Sequence, residues 1–146
     1  MKTMFDSRDV AALKERLARL TVDTTPKWGS FSVSQMVCHL VDQMDYALTH
    51  AEEVKLMGGP PMFIRHLVRL YLPWPKGAPT MKEMLVTEPA SLAADVEKVA
   101  RLMDDFNRGA DKTDWPVHPF FGALDAGGWA KLTWRHNDYH LKQFGV

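Results

Sequence analysis

The sequence predicts an all-α protein, a four-helix bundle with a long crossover between its second and third helices. Three observations predict it. Apolar residues return at three- and four-residue steps in four separate segments, the spacing of a helix that buries one face. No alternating apolar–polar run is long enough for a strand. The segments are separated by proline and glycine: Pro26 and Gly29 in the first break, Gly58 to Pro61 with Pro73, Pro75, Gly77 and Pro79 in the second, and Gly109 and Pro116 in the third.

Helix one is expected from about Ser7 to Leu20. Val10, Leu13, Leu17 and Leu20 make its stripe, and Asp6 or Ser7 can cap its start. Thr21 to Phe31 reads as a loop. Helix two starts at Ser32, where Ser32 and Gln35 fit a capping box, each side chain bonding the other residue's backbone N–H. Its stripe is Val33, Met36, Val37, Leu40, Met44, Ala47 and Leu48, and it should end before Gly58. The crossover from Pro60 to Thr87 has room for a short helix from Pro61 to Tyr71, with proline at its first turn. The later prolines forbid regular structure.

Helix three is expected from about Pro89 to Phe106, with Leu92, Val96, Val99, Met103 and Phe106 inward and Asp95, Lys98, Arg101 and Asp105 on or near the other face. Helix four runs from about Asp125 to Phe144. Asp125 can cap it, and Gly145 stands where a C-terminal glycine cap belongs.

Composition narrows the classes of function. The 146 residues are read as one domain, 1–146, and the 46% apolar content is too high for a disordered chain. Lys plus Arg and Asp plus Glu are 18 each, and no basic run stands out, which argues against nucleic acid or an anionic membrane as a partner. Zero net charge leaves little self-repulsion, so a homodimer is an open expectation. One cysteine, Cys38, excludes an intrachain disulfide and fits a reducing compartment. The first residues lack the apolar core of a signal peptide, and the apolar stretch from Met62 to Leu72 is broken by Arg65, His66 and Arg69. A cytoplasmic protein is the expectation.

The histidines of helix four carry the chemistry. At about 100° per residue, Trp129, Leu132, Thr133, His136, His140, Gln143 and Phe144 share one face, and Lys131, Arg135, Asp138 and Lys142 the opposite one. Two imidazoles thus point into the bundle one turn apart. Charged, they would repel and lose hydration; neutral, each needs a partner for both ring nitrogens. A divalent cation meets both demands, because each ring gives one nitrogen to the ion and donates its other N–H to an acceptor. Core hydroxyls or backbone carbonyls are the alternative partners. A third ligand must come from another helix, and His39, beside the core stripe of helix two, is the candidate.

His136-Asn137-Asp138-Tyr139-His140-Leu141-Lys142-Gln143 resembles the His-x-x-x-His-x-x-Gln signature of the DinB-like (YfiT-like) metalloenzyme superfamily. His39, in a Met-x-x-His-Leu context, is similar to that family's first metal histidine. The likeness extends to Phe5-Asp6, Trp28-Gly29, His118-Pro119-Phe120-Phe121-Gly122 and the ending His140-Leu141-Lys142-Gln143-Phe144-Gly145-Val146. The resemblance implies an up-down-down-up four-helix bundle with a three-histidine site for nickel, zinc or a similar ion. It also implies kinship with thiol-dependent S-transferases, which use bacillithiol or mycothiol, and with a maleylpyruvate isomerase.

Three neutral imidazoles leave the ion's charge intact and a coordination position open, the pattern of a catalytic site. The expectation is a metal-dependent enzyme that transfers a thiol or hydrolyses a small molecule, with a low-molecular-weight thiol as a candidate co-substrate. Nickel and zinc lead, and iron and manganese also suit three imidazoles. The alternative is a non-enzymatic metal-binding or interaction module, with Phe63, Ile64, Leu67, Val68, Leu70 and Tyr71 as its interface.

No carboxylate adjoins His39, and Asp138 is expected to face solvent, so His118 is the candidate general base, with a packing role as the other reading. Gln143, and Gln43 and Tyr46 beside His39, are candidate hydrogen-bond partners of the ligands. Cys38 is read as core packing and His50 and His66 as surface residues. Trp28, Trp74 and Trp115 are either pocket walls or loop anchors.

Overall fold

In a computed structural model of the chain, residues 1–49, 56–77, 80 and 85–146 are described. Among them are five α-helices and no strand. The helices are α1 (Ser7–Leu17), α2 (Val33–Thr49), α3 (Met62–Leu70), α4 (Leu92–Arg108) and α5 (Ala126–Gln143), with a short 3₁₀ turn over Gly109–Asp111 after α4. Helix α3 lies within the crossover, so the third and fourth helices expected from the sequence are α4 and α5.

The helix starts follow local chemistry. The Asp6 carboxylate accepts from the Arg8 N–H and opens α1. Ser32 and Gln35 form both halves of the capping box: Gln35 Oε1 accepts from the Ser32 N–H at 2.9 Å, and Ser32 Oγ from the Gln35 N–H at 3.2 Å. The Asp125 carboxylate accepts from the Gly128 N–H and opens α5. Gly145, at φ +83°, takes the left-handed position after α5, which glycine adopts without a Cβ clash.

Several helix bounds differ from expectation: α3 is a residue shorter at each end, and α4 runs on to Arg108 rather than Phe106. Helix α1 stops at Leu17 rather than Leu20, because the chain tightens into three-residue turns, Arg19 N–H to Arg16 O and Leu20 N–H to Leu17 O, while Leu20 stays buried. Helix α4 starts at Leu92 rather than Pro89, because the Ser91 hydroxyl caps it by accepting from the Ala94 N–H. Gln143, rather than Phe144, is the last residue of α5. The end of helix two falls partly outside the described residues, as does His50.

Two carboxylates assigned to outer faces are buried. Asp138, expected in solvent, is 8% exposed, because α1 and the chain end cover that side of α5: Asp138 Oδ1 accepts from Arg16 at 2.7 Å, and Arg16 also donates to the Val146 carbonyl. Asp95 is buried too, where its carboxylate accepts from the Ala90 N–H just ahead of α4.

Helices α1, α2, α4 and α5 share one apolar core, with Leu13, Leu17, Met36, Val37, Leu40, Met44, Met103, Phe106 and Trp129 sealed from solvent. Polar pairs mark their register. Ser7 meets Asn107 and Lys14 meets Asp104 between α1 and α4; Trp134 donates to the Asp9 carbonyl and Arg16 meets Asp138 between α5 and α1; His39 meets His136 and Gln43 meets Thr133 between α2 and α5. On α3, by contrast, Arg65 is the buried residue, and Phe63 and Leu67, with Tyr71 just after the helix, are exposed. Among the described residues no helix is long and apolar enough to cross a membrane.

Candidate metal centre

The site forms where the N-terminal half of α2 crosses the C-terminal half of α5. His39 and its neighbours on α2 are held inward by Met36, Val37 and Leu40, all buried. On α5 the four-residue step from His136 to His140 brings the second ring one turn above the first. The result is a group of ring nitrogens, one each from His39, His136 and His140, that lie within 4.8 Å of one another. His39 Nε2 and His136 Nε2 are 3.0 Å apart.

The donor set fits a divalent ion. Two nitrogens each about 2.1 Å from one ion sit about 3.0 Å apart at a right angle and about 3.4 Å apart at the tetrahedral angle. The His39–His136 separation falls at the short end of that range. Burial also disfavours the charged form of the two rings on α5. It pushes His140 down to about 3, helped by the neighbouring His39, and His136 well below the ordinary histidine range, helped by His140, His39 and His118. A neutral imidazole is the form that ligates metal.

The outer hydrogen bonds set which nitrogen of His140 is free. The Gln143 Nε2 group donates to the Trp28 carbonyl at 2.7 Å, so its Oε1 faces His140 Nδ1, 2.8 Å away. An amide oxygen only accepts, so Nδ1 carries the proton and Nε2 keeps its lone pair for an ion. Gly29 makes this possible. It sits at φ +81°, and a Cβ there would lie 2.6 Å from Gln143 Nε2. Gln143 thus joins the loop before α2 to His140 on α5.

Aromatic rings wall the group. Phe31 lies against His39 and His140, Trp74 against His136, and Tyr139 against Trp28 and Trp74. The Tyr139 hydroxyl accepts from the Trp28 indole and donates to the Pro75 carbonyl, tying the first loop to the crossover. Of the three loop tryptophans, Trp28 and Trp74 are therefore at the site. Trp115 packs on Phe5, Phe106 and Trp129 in the core. A cleft of about 290 Å³ leads to His140 and Gln143, between Gly29, Ser30 and Phe31 on one side and Gly77, Thr80 and Leu85 on the other.

His118 has a different setting. Its Nδ1 accepts from the backbone N–H groups of Phe120 and Phe121, at 3.0 and 3.1 Å, inside a tight turn closed by paired bonds between His118 and Gly122. The ring packs on Phe121 and Trp129, and burial pushes it down to about 4. In the neutral ring the remaining proton is on Nε2. No lone pair is then free for a general base, and the group is an N–H donor. His66 is exposed. Cys38 is buried, and burial pushes its thiol up to about 11, the setting of an inert core cysteine. Tyr46 donates to the Val117 carbonyl, and Gln43 donates to Thr133 Oγ1.

Sequence reasoning missed the anchoring role of Asp42. Its buried carboxylate accepts from the Val86 and Thr87 N–H groups and the Thr87 hydroxyl, pinning the end of the crossover to α2. An acid inside an otherwise apolar helical run was its available signal. A sequence model described as the DinB superfamily matches residues 7–144. No curated protein and no solved structure matches the chain.

Proposed function

The chain belongs to the DinB superfamily, and on that premise we propose that it is a metal-dependent enzyme acting on a small molecule, by thiol transfer or hydrolysis. The observation that carries the reading is the convergence of three imidazole nitrogens from two helices, with His140 already turned by Gln143 to present Nε2. His39, His136 and His140 would hold the ion. When bound, it supplies Lewis acidity that makes a thiol or a water a better nucleophile at neutral pH. We read the helix pairings as the up-down-down-up four-helix bundle. Ser7 with Asn107 and Lys14 with Asp104 set α4 against α1, Asp9 with Trp134 and Arg16 with Asp138 set α5 along α1, and His39 with His136 and Gln43 with Thr133 set α2 against α5.

The chain's own residues have distinct parts in this reading. Phe31 and Trp74 shield the ligand rings from water. The cleft beside His140 admits the substrate, with the hydroxyls of Ser30 and Thr80 able to orient it. Zinc and nickel are the expected ions. The test is a panel of thiol-transfer and hydrolysis assays on metal-loaded protein and on His136→Ala. Activity in the parent, lost in a folded His136→Ala, supports the proposal; a fully active variant overturns it. The exposed Phe63, Leu67 and Tyr71 support a second reading, an interaction module that pairs with another copy, which light scattering tests through the mass in solution.

A further inference from the structure

The cleft beside His140 is bordered by one sign of charge. Its first wall is the loop before α2, through Gly29, Ser30 and Phe31, and its second is the crossover, through Gly77, Thr80 and Leu85. Among the described lining residues there is no carboxylate. Along the chain the charge nearest to Gly29 is Lys27, and the charge nearest to Gly77 is Lys76. The ion-paired lysines among the described residues are Lys14, Lys98, Lys112 and Lys142, so both of these are without a carboxylate partner there.

Lys76 reaches from one wall to the other. Its Nζ lies 4.7 Å from the centre of the Trp28 ring, one residue from the lining on each side. Trp28 in turn meets Tyr139, and its carbonyl accepts from Gln143, and both of those residues line the cleft. An aromatic face thus holds the ammonium at the rim without cancelling its charge. The loop adds donors. The backbone N–H groups of Gly29, Ser30 and Phe31 make no hydrogen bond to the protein among the described residues. They lie just ahead of Val33, where α2 begins with the positive end of its dipole. Phe31, Leu85 and Tyr139 supply apolar surface beside them. Cations and N–H donors next to apolar surface, with no acid in the lining to oppose them, favour a small organic anion over a neutral or cationic molecule. The three-histidine group points the same way, since it contains no acid to offset the charge of an ion.

We propose that the cleft takes a small organic carboxylate, drawn to the rim by Lys76 and received by the N–H groups of Gly29, Ser30 and Phe31. This rests on the reading of the cleft as the substrate entry to a metal site, and it gives that substrate a chemical class.

The test uses the metal-free full chain, with 3-phenylpropionate as the probe and 3-phenylpropionamide as its uncharged counterpart, each followed by the backbone amide spectrum. The carboxylate should bind about tenfold more tightly than the amide and shift the signals of Gly29, Ser30 and Phe31. Lys76 is exposed, so its variants should keep the fold. Carboxylate affinity should fall about threefold in Lys76→Met and about tenfold in Lys76→Glu, hold in Lys76→Arg, and weaken with added salt. The amide should bind the parent and all three variants alike, which a lysine that merely props Trp28 would not give. Equal affinity for carboxylate and amide, shifts that miss the loop, or a carboxylate affinity indifferent to the charge at position 76 overturns the proposal. Zinc competition on the same chain judges the metal reading separately: a chain that takes up no zinc overturns that reading, and the carboxylate titration still decides the cleft.

Discussion

The core and the crossover are held by different forces. Between α1, α2, α4 and α5 the contacts are mainly apolar, with Leu40, Met44, Met103 and Phe106 wholly buried and polar pairs around them. The segment around α3 presents its apolar side chains outward and is held by guanidinium groups on backbone carbonyls. Arg65 donates to the carbonyls of Met57, Pro60 and Phe120, Arg69 to that of Gly128, and Arg135 to those of Val68, Arg69 and Leu72 at the end of α3. The difference follows from what each region serves. Three ring nitrogens that are to share an ion need fixed positions, which close packing gives. The wall that Trp74 sets against His136 belongs to the hydrogen-bonded part, where single contacts can be exchanged at smaller cost.

Acid should break the core side most severely. His140 and His118 titrate at about 3 and about 4 in the folded chain and at about 6.5 when unfolded. Above pH 6.5 both states are neutral and nothing is lost. As pH falls from 6.5 toward 4, the unfolded chain binds protons that the folded one refuses. Stability of the metal-free protein should fall by about 1.4 kcal/mol per pH unit for each histidine. Denaturant titrations at several pH values measure this, and a flat profile between pH 6.5 and 4 would contradict the buried, neutral state.

Truncations should separate the two regions. Phe106→Ala removes a wholly buried ring and should cost about 3–5 kcal/mol of global stability. Arg65→Met keeps the stem but removes three bonds to carbonyls, and should cost about 1–3 kcal/mol, felt locally. Hydrogen exchange should then quicken in α3 while α2 and α5 keep their protection. Equal loss of protection in all three helices would mean that the regions form one cooperative unit.

A smaller effect tests the joint between loop and ligand. Gly29→Ala meets both an unfavourable φ and the Gln143 amide. It should weaken zinc binding about tenfold, by competition titration, with the fold intact. Unchanged affinity would show that Gln143 does not govern His140.

How much of this was legible depended on sequence distance. The caps at Asp6, Ser32 with Gln35, and Asp125 were readable because cap and partner lie within three residues. The facing of His136 and His140 was readable because one helix face carries both. Asp138 was misplaced because its partner Arg16 is 122 residues away, and nothing local distinguishes a carboxylate facing solvent from one facing a guanidinium. The start of α4 was misplaced because Pro89 and Ser91 both suit a helix start. The wall made by Trp74 and the anchor made by Asp42 depend on how the crossover folds back, which periodicity does not report.

The central claim is tested most directly by counting metal. The chain, purified without a polyhistidine tag or chelator, is analysed by elemental mass spectrometry beside His136→Ala/His140→Ala. The account predicts about one divalent ion per chain in the wild type and none in the double variant. A wild type that carries no metal, and takes none up after unfolding and refolding with zinc or nickel, would contradict it.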